Sequence, residues 1–129
     1  MSLKQDYILR LIEQVIDLIT ENAFGVKTKE EISENFSNTN NSTEKYNKLI
    51  YLIDEGKINE AENQLFDYLD ENTLDDLKIA LLFYDYLNKK DDEFLKENDF
   101  SREEIKDGLL DISKKYGYDN FVQIYLMEN

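Results

Sequence analysis

The stretch from Ile50 to Leu69 most constrains the fold, because two helical patterns meet there at a single glycine. Apolar residues recur at helical spacing on both sides of Gly56: Tyr46, Leu49, Ile50 and Ile53 before it, and Ile58, Ala61, Leu65 and Leu69 after it. Glycine readily adopts the left-handed backbone that ends a helix. The stretch therefore predicts two helices that fold back on each other as a hairpin.

The remaining composition predicts a single all-α domain over residues 1–129. The chain has no proline and four glycines, which favours long uninterrupted helices. Runs with the two-residue period of a strand are absent. A chain of this length buries roughly two-thirds of its unfolded surface, enough for a core without disulfides.

Eight helices are predicted, with Thr73 and Ser101 as caps and with Glu104 completing a capping box. They cover residues 5–22, 28–36, 43–55, 58–70, 74–88, 91–97, 102–116 and a last short helix from 119. Residues 37–43 form a polar loop, and residues 1–3 are treated as an expression-derived remnant. Because helix 74–88 is apolar nearly all round, we expect it to be the most central.

The first predicted helix has an unusually wide apolar face. Its apolar residues cover roughly 200° of arc, whereas a surface helix needs little more than about 100°. We therefore expect it to pack on two sides, and we hypothesise a homodimer through this helix. Asp6, Tyr7 and Arg10 form one turn of mixed polarity, which is either a partner contact or an ordinary i,i+4 ion pair.

Several chemistries are excluded by the residues that the chain lacks. Without cysteine or histidine there is no thiolate nucleophile, histidine-dependent serine triad or zinc-peptidase site. The net charge is −14, from 29 acidic and 15 basic residues, and it disfavours nucleic-acid and anionic-membrane partners. No apolar run approaches the roughly 20 residues of a membrane span, and the N-terminus is unlike a signal peptide. We expect a cytoplasmic protein.

Two groups of residues are candidate sites. Glu31 with Glu34, and Glu104 with Asp107, are carboxylate pairs at i,i+3, the spacing with which some all-α nucleotide pyrophosphohydrolases hold Mg²⁺. Such pairs also arise by chance in a chain this acidic. The second group comprises tyrosines that either line a peptide groove or lie half-buried at the edge of the core. They are Tyr84, Tyr86, Tyr116, Tyr118 and Tyr125.

The segment from Gly56 to Ala61, with Leu65 and Leu69, resembles the turn and second helix of a tetratricopeptide repeat. The helix breaks at Gly56, Asn88 and Gly117 are separated by intervals close to the period of such repeats. The first helix departs from that family, since Leu49 and Lys45 stand where a small residue and an aromatic are expected. The stretch from Gln5 to Glu13 is also similar to a small uncharacterised family of Gram-positive bacteria with tetratricopeptide-like helices, which implies no activity.

Together these features predict an array of two to three tetratricopeptide-like hairpins with the N-terminal amphipathic helix packed against them. The expected role is a non-enzymatic protein-interaction or scaffold module that presents a concave, partly aromatic face to a protein or peptide partner. No cofactor, metal or catalytic residue is predicted. Two alternatives stay open: a Mg²⁺-dependent nucleotide hydrolase that uses the carboxylate pairs, and an acidic nucleic-acid mimic that binds a basic protein.

Overall fold

The computed structural model describes residues 3–26 and 41–128, which form seven α-helices and no strand. The helices are α1 (Leu3–Phe24), α2 (Ser42–Asp54), α3 (Ile58–Tyr68), α4 (Leu74–Asn88), α5 (Asp92–Glu97), α6 (Arg102–Lys115) and α7 (Asp119–Glu128), with a 3₁₀ turn at Leu69–Glu71. The all-α prediction is confirmed. None of these helices has the length and apolarity that a membrane crossing needs.

The predicted bounds agree with the structure to within two residues at most helix ends. Helix α1 begins at Leu3 rather than at residue 5. It therefore includes one of the three residues that were interpreted as an expression-derived remnant. Helix α2 begins at Ser42, so the end of the predicted polar loop is helical. The predicted helix 28–36 and the loop residues 37–40 lie outside the described residues.

Helix α4 is the centre of the molecule, as its apolar sequence predicted. It packs against α1, α2 and α6, while α3 pairs with α2, and α7 packs on α6 and α1. Because its neighbours lie around it, α4 buries residues on nearly every side. The buried apolar residues of α4 are Leu77, Ile79, Ala80, Leu81, Leu82, Phe83, Tyr84 and Leu87.

The wide apolar face of α1 is accounted for within the chain. Helix α1 contacts both α4 and α6, and its buried residues are Ile8, Leu11, Ile12, Val15, Ile16 and Ile19. Two-sided packing is therefore confirmed, and both sides are covered by helices of the same chain. The width of the face gives no separate reason for a second copy, and self-association stays a prediction.

The turn at Gly56 joins α2 to α3 in the way the sequence indicated. Gly56 has φ +79°, its N–H donates to Ile53 O over 2.9 Å, and the N–H of Lys57 donates to Leu52 O over 2.9 Å. These two bonds form the Schellman motif that satisfies the last carbonyls of a helix. A Cβ atom at Gly56 would also clash with the side-chain amide of Asn98, which follows α5. The turn is therefore packed against another part of the chain.

Replacing Gly56 with alanine should lower the free energy of unfolding by about 2 kcal/mol. A left-handed backbone costs a residue with a Cβ roughly 1–2 kcal/mol, and displacing Asn98 adds to that cost. Gly25→Ala is the matched control, because Gly25 has φ +70° and no described residue lies within 4 Å of a Cβ at that position. Urea unfolding of both variants measures the difference, and equal losses would show that the contact with Asn98 contributes nothing.

Candidate functional site

An open groove lies between α3 and α6. It has a volume of about 400 Å³ and is lined by Glu62, Asn63, Phe66, Glu104, Asp107, Gly108 and Asp111. Four of these seven residues are acidic, and no lysine or arginine is among the described residues that line it. We refer to this surface as the acidic groove.

Tyr84 of α4 lies beneath the acidic groove, against Glu62 and Gly108 of its lining. This side chain is fully buried, and its hydroxyl donates a 2.7 Å hydrogen bond to Glu62 Oε2. The phenol reaches Glu62 because residue 108 of α6 has no side chain. A Cβ atom there would overlap the hydroxyl and would lie 2.6 Å from Tyr84 Cζ. Glycine inside a helix costs about 1 kcal/mol relative to alanine, and here it makes room for the phenol.

The surroundings of Glu62 disfavour its ionised form. Burial is the main cause that raises the pKa of Glu62 above the ordinary value, and the charges of Glu104 and Asp111 raise it further. The hydrogen bond from Tyr84 opposes them, because it stabilises the carboxylate. Burial and the neighbouring Glu62 in turn raise the pKa of the Tyr84 phenol well above its ordinary value. The groove thus holds a carboxyl group whose ionisation is less favourable than that of an ordinary glutamate.

The predicted carboxylate pairs are only partly within the structure. Glu104 and Asp107 both lie on α6 and line the acidic groove, whereas Glu31 and Glu34 lie outside the described residues. Glu104 also completes the predicted capping box, since its Oε2 accepts from the backbone N–H of Ser101 over 2.8 Å. Among the residues that the structure describes, no group of three or more acidic side chains is arranged to hold a metal ion.

The predicted tyrosines have separate partners rather than one shared groove. Tyr84 reaches Glu62 from below, Tyr86 donates to Asp54 Oδ1 over 2.7 Å, and Tyr116 donates to the carbonyl of Thr73 over 2.9 Å. Tyr118 is half-buried against the core, and the side chain of Tyr125 lies outside the described residues. Most of these hydroxyls therefore tie helices together, and the Tyr84 hydroxyl does so by bonding a residue of the acidic groove.

The turn at the start of α1 stays on the surface. Arg10 and Asp6 form an exposed i,i+4 ion pair, and Tyr7 is 46% exposed. Tyr7, Arg10, Leu11 and Gln14 border a hollow of about 270 Å³. This arrangement is that of an ordinary ion pair beside a partly exposed tyrosine.

A second depression, of about 620 Å³, lies where α5 meets α6 and is lined in part by Arg102 and Asp92. Arg102 is only 1% exposed, and its guanidinium is held by Asp92, by the last carbonyl of α4 and by the carbonyl of Lys90 in the turn after it. Its charge is thus already compensated within the protein. We therefore assign this arginine to the structure of the α4–α6 junction.

Sequence reasoning did not find the acidic groove as a whole. It singled out Glu104 and Asp107, but not Glu62, Asp111 or the role of Gly108. The one available signal was Gly108 itself, a glycine within a strongly capped helix, which usually indicates a close packing contact. Which helix approaches Gly108 depends on the tertiary fold.

The sequence comparisons place the chain in a family. A family model described as "Family of unknown function (DUF6483)" matches residues 2–117, so the chain belongs to that family. No curated protein matches the chain, and no solved structure matches it.

Proposed function

We propose that this member of the DUF6483 family is a non-enzymatic protein-interaction module that binds a basic peptide or helix of a partner protein in the acidic groove. The observation that carries the proposal is the lining of the groove. Two facing helices supply four carboxylates, and Phe66 adds an aromatic surface. The partner therefore has to bring the positive charge.

The chemistry of the groove favours arginine or lysine side chains. A guanidinium can bond a carboxylate with two parallel hydrogen bonds, and its flat face stacks on an aromatic ring such as Phe66. The amide of Asn63 can both donate to and accept from a peptide backbone. The net charge of −14 would also draw a basic partner toward the molecule before contact. These features support a role in recognition rather than in catalysis.

The architecture is consistent with the predicted tetratricopeptide-like role. Helical hairpin arrays commonly bind partners in the concave surface between neighbouring units. Here the α2–α3 hairpin supplies one wall of the groove and α6 supplies the other. A cytoplasmic location and a peptide partner, with no role in nucleic-acid or membrane binding, remain part of this proposal. Mg²⁺-dependent hydrolysis remains an alternative, and a Mg²⁺-induced thermal shift would favour it.

The proposal predicts that removing negative charge inside the groove weakens peptide binding more than removing it elsewhere on the surface. The double variant Asp107→Asn/Asp111→Asn should weaken binding of a labelled, arginine-bearing amphipathic peptide about tenfold, because two carboxylates that face the cation are lost. Glu60→Gln/Glu93→Gln is the matched control, since it removes the same charge from exposed positions outside the groove lining. Fluorescence anisotropy measures both affinities, and the control should change by less than about twofold.

The same pair of variants separates this proposal from the nucleic-acid mimic. A mimic would spread its contacts over the whole acidic surface, so both double variants would lose affinity equally. Wild-type protein that binds no member of a peptide series with varied arginine spacing would defeat the groove proposal.

A further inference from the structure

We propose that, at pH values where Glu62 of the free protein is still partly protonated, binding in the acidic groove releases this proton, because a cationic side chain of the partner replaces it. Only the replacement of the proton by a partner rests on the proposed function. The protonation of Glu62 in the free protein can be tested without any partner. It would make the groove sensitive to pH.

The carboxyl group of Glu62 has a fixed position in the groove. Glu62 is half-buried in the groove, and the fully buried Tyr84 phenol reaches it through the space that Gly108 leaves open. The 2.7 Å bond from Tyr84 holds Oε2 against this phenol. Glu62 is therefore held in the groove rather than free to turn into bulk water.

The groups that face Glu62 come from three helices. Helix α3 contributes only the neutral Asn63 and Phe66 beside it, and α4 contributes the Tyr84 phenol. Helix α6 contributes Glu104, Asp107 and Asp111 across the groove. Within the described lining, every facing group that can carry charge is therefore an acid. Repulsion and loss of hydration both oppose ionisation of Glu62, which agrees with the raised direction of its pKa.

A cationic partner would change the ionisation of Glu62. A lysine or arginine in the groove supplies the missing positive charge, so the ionised form of Glu62 becomes favourable and its proton passes to the solvent. By linkage, affinity must then rise with pH while free Glu62 is losing its proton. The rise is at most about tenfold per pH unit for one proton, and it ends above the pKa of free Glu62. Because that pKa is raised, the dependence extends above the ordinary glutamate range.

The free protein provides the first test. Carboxyl ¹³C chemical shifts followed against pH should show Glu62 titrating above the ordinary value of 4.5. In Tyr84→Phe its pKa should rise further, because the carboxylate loses the hydrogen bond that stabilises it. A merely structural role for Tyr84 would leave the Glu62 titration unchanged. Titration at or below 4.5 would overturn the inference, whatever the protein binds.

The second test uses calorimetry with the arginine-bearing peptide. Near the Glu62 midpoint, titrations in two buffers with different ionisation enthalpies should report proton release, and Glu62→Gln should abolish it. Glu60→Gln should keep it, since residue 60 is exposed outside the groove lining. Binding without Glu62-dependent release would refute this inference but leave the proposed function intact. No binding at all would refute the proposed function, and the ¹³C titration would still decide whether Glu62 holds the proton.

Discussion

Replacing Arg102 with methionine should lower the free energy of unfolding by about 3–5 kcal/mol, the usual cost of removing one partner from a buried ion pair. Its Nε donates to Asp92 Oδ1 over 3.0 Å, Nη1 donates to Asn88 O over 2.7 Å, and Nη2 donates to Lys90 O over 2.7 Å. Methionine fills similar space but satisfies none of these acceptors. Urea denaturation followed by circular dichroism measures the loss.

Arg10→Met is the matched control for this prediction. The Arg10 side chain is 69% exposed, and its i,i+4 partner is Asp6. Exposed helix pairs contribute about 0.3–0.5 kcal/mol, so the control should change stability by no more than that. Arg102→Lys should fall between the two, because lysine keeps the charge but not the planar fork. Equal effects of Arg102→Met and Arg10→Met would show that the buried network is not stabilising.

The Arg102 network also explains how α1 is joined to the rest of the fold. The side chain of Asn88 accepts from Arg102 Nη1 over 3.0 Å and donates to the carbonyl of Leu9 over 3.0 Å. Arg102 thus connects the first turn of α6 to the last carbonyl of α4, to a carbonyl of the following turn and, through Asn88, to Leu9 of α1. Helix ends leave such carbonyls without intrahelical partners, and burial makes it costly to leave them unsatisfied.

The parts of the fold that depend on nearby residues were predicted from the sequence. The Thr73 cap, the Ser101–Glu104 capping box and the Gly56 turn all involve residues within a few positions of each other, and all are confirmed. The apolar circumference of α4 likewise predicted its central place. In each case the physical cause lies within one helix or one turn.

The parts that depend on distant residues were not predicted. Arginine is rarely buried, so Arg102 at the start of a helix gave no sign that it reaches Asn88 and Lys90. Glu62 and Asp111 belong to different helices, and only the packing of both beside α4 places them in one groove. The number of hairpins in a tetratricopeptide-like array depends in the same way on contacts between units, which repeat spacing alone does not determine.

Replacing Gly108 with alanine should lower the free energy of unfolding by about 1–3 kcal/mol, which is typical of overpacking a core. Helix propensity alone predicts the opposite sign, a gain of about 1 kcal/mol. The clash outweighs this gain because the new methyl group would overlap the Tyr84 hydroxyl and lie 2.8 Å from Tyr84 Cε1. The buried ring has little freedom to move away. Thermal and urea unfolding both report the sign.

A double-mutant cycle with Tyr84→Leu tests whether this contact is the cause. Leucine leaves room beside residue 108, so alanine there should be neutral or stabilising in that background, and the coupling should be about 1–3 kcal/mol. Coupling near zero would mean that the Tyr84 side chain does not need the space that Gly108 leaves.

A comparison of Gly108→Ala with Tyr84→Phe separates the stability of the fold from the properties of the groove. Gly108→Ala fills the space that Tyr84 needs, whereas Tyr84→Phe leaves that space open and removes only the hydrogen bond to Glu62. If the groove works as proposed, Tyr84→Phe should shift the titration of Glu62 while the groove keeps its shape. Gly108→Ala should disturb both, because the new methyl group alters the groove lining and displaces the phenol that bonds the carboxyl.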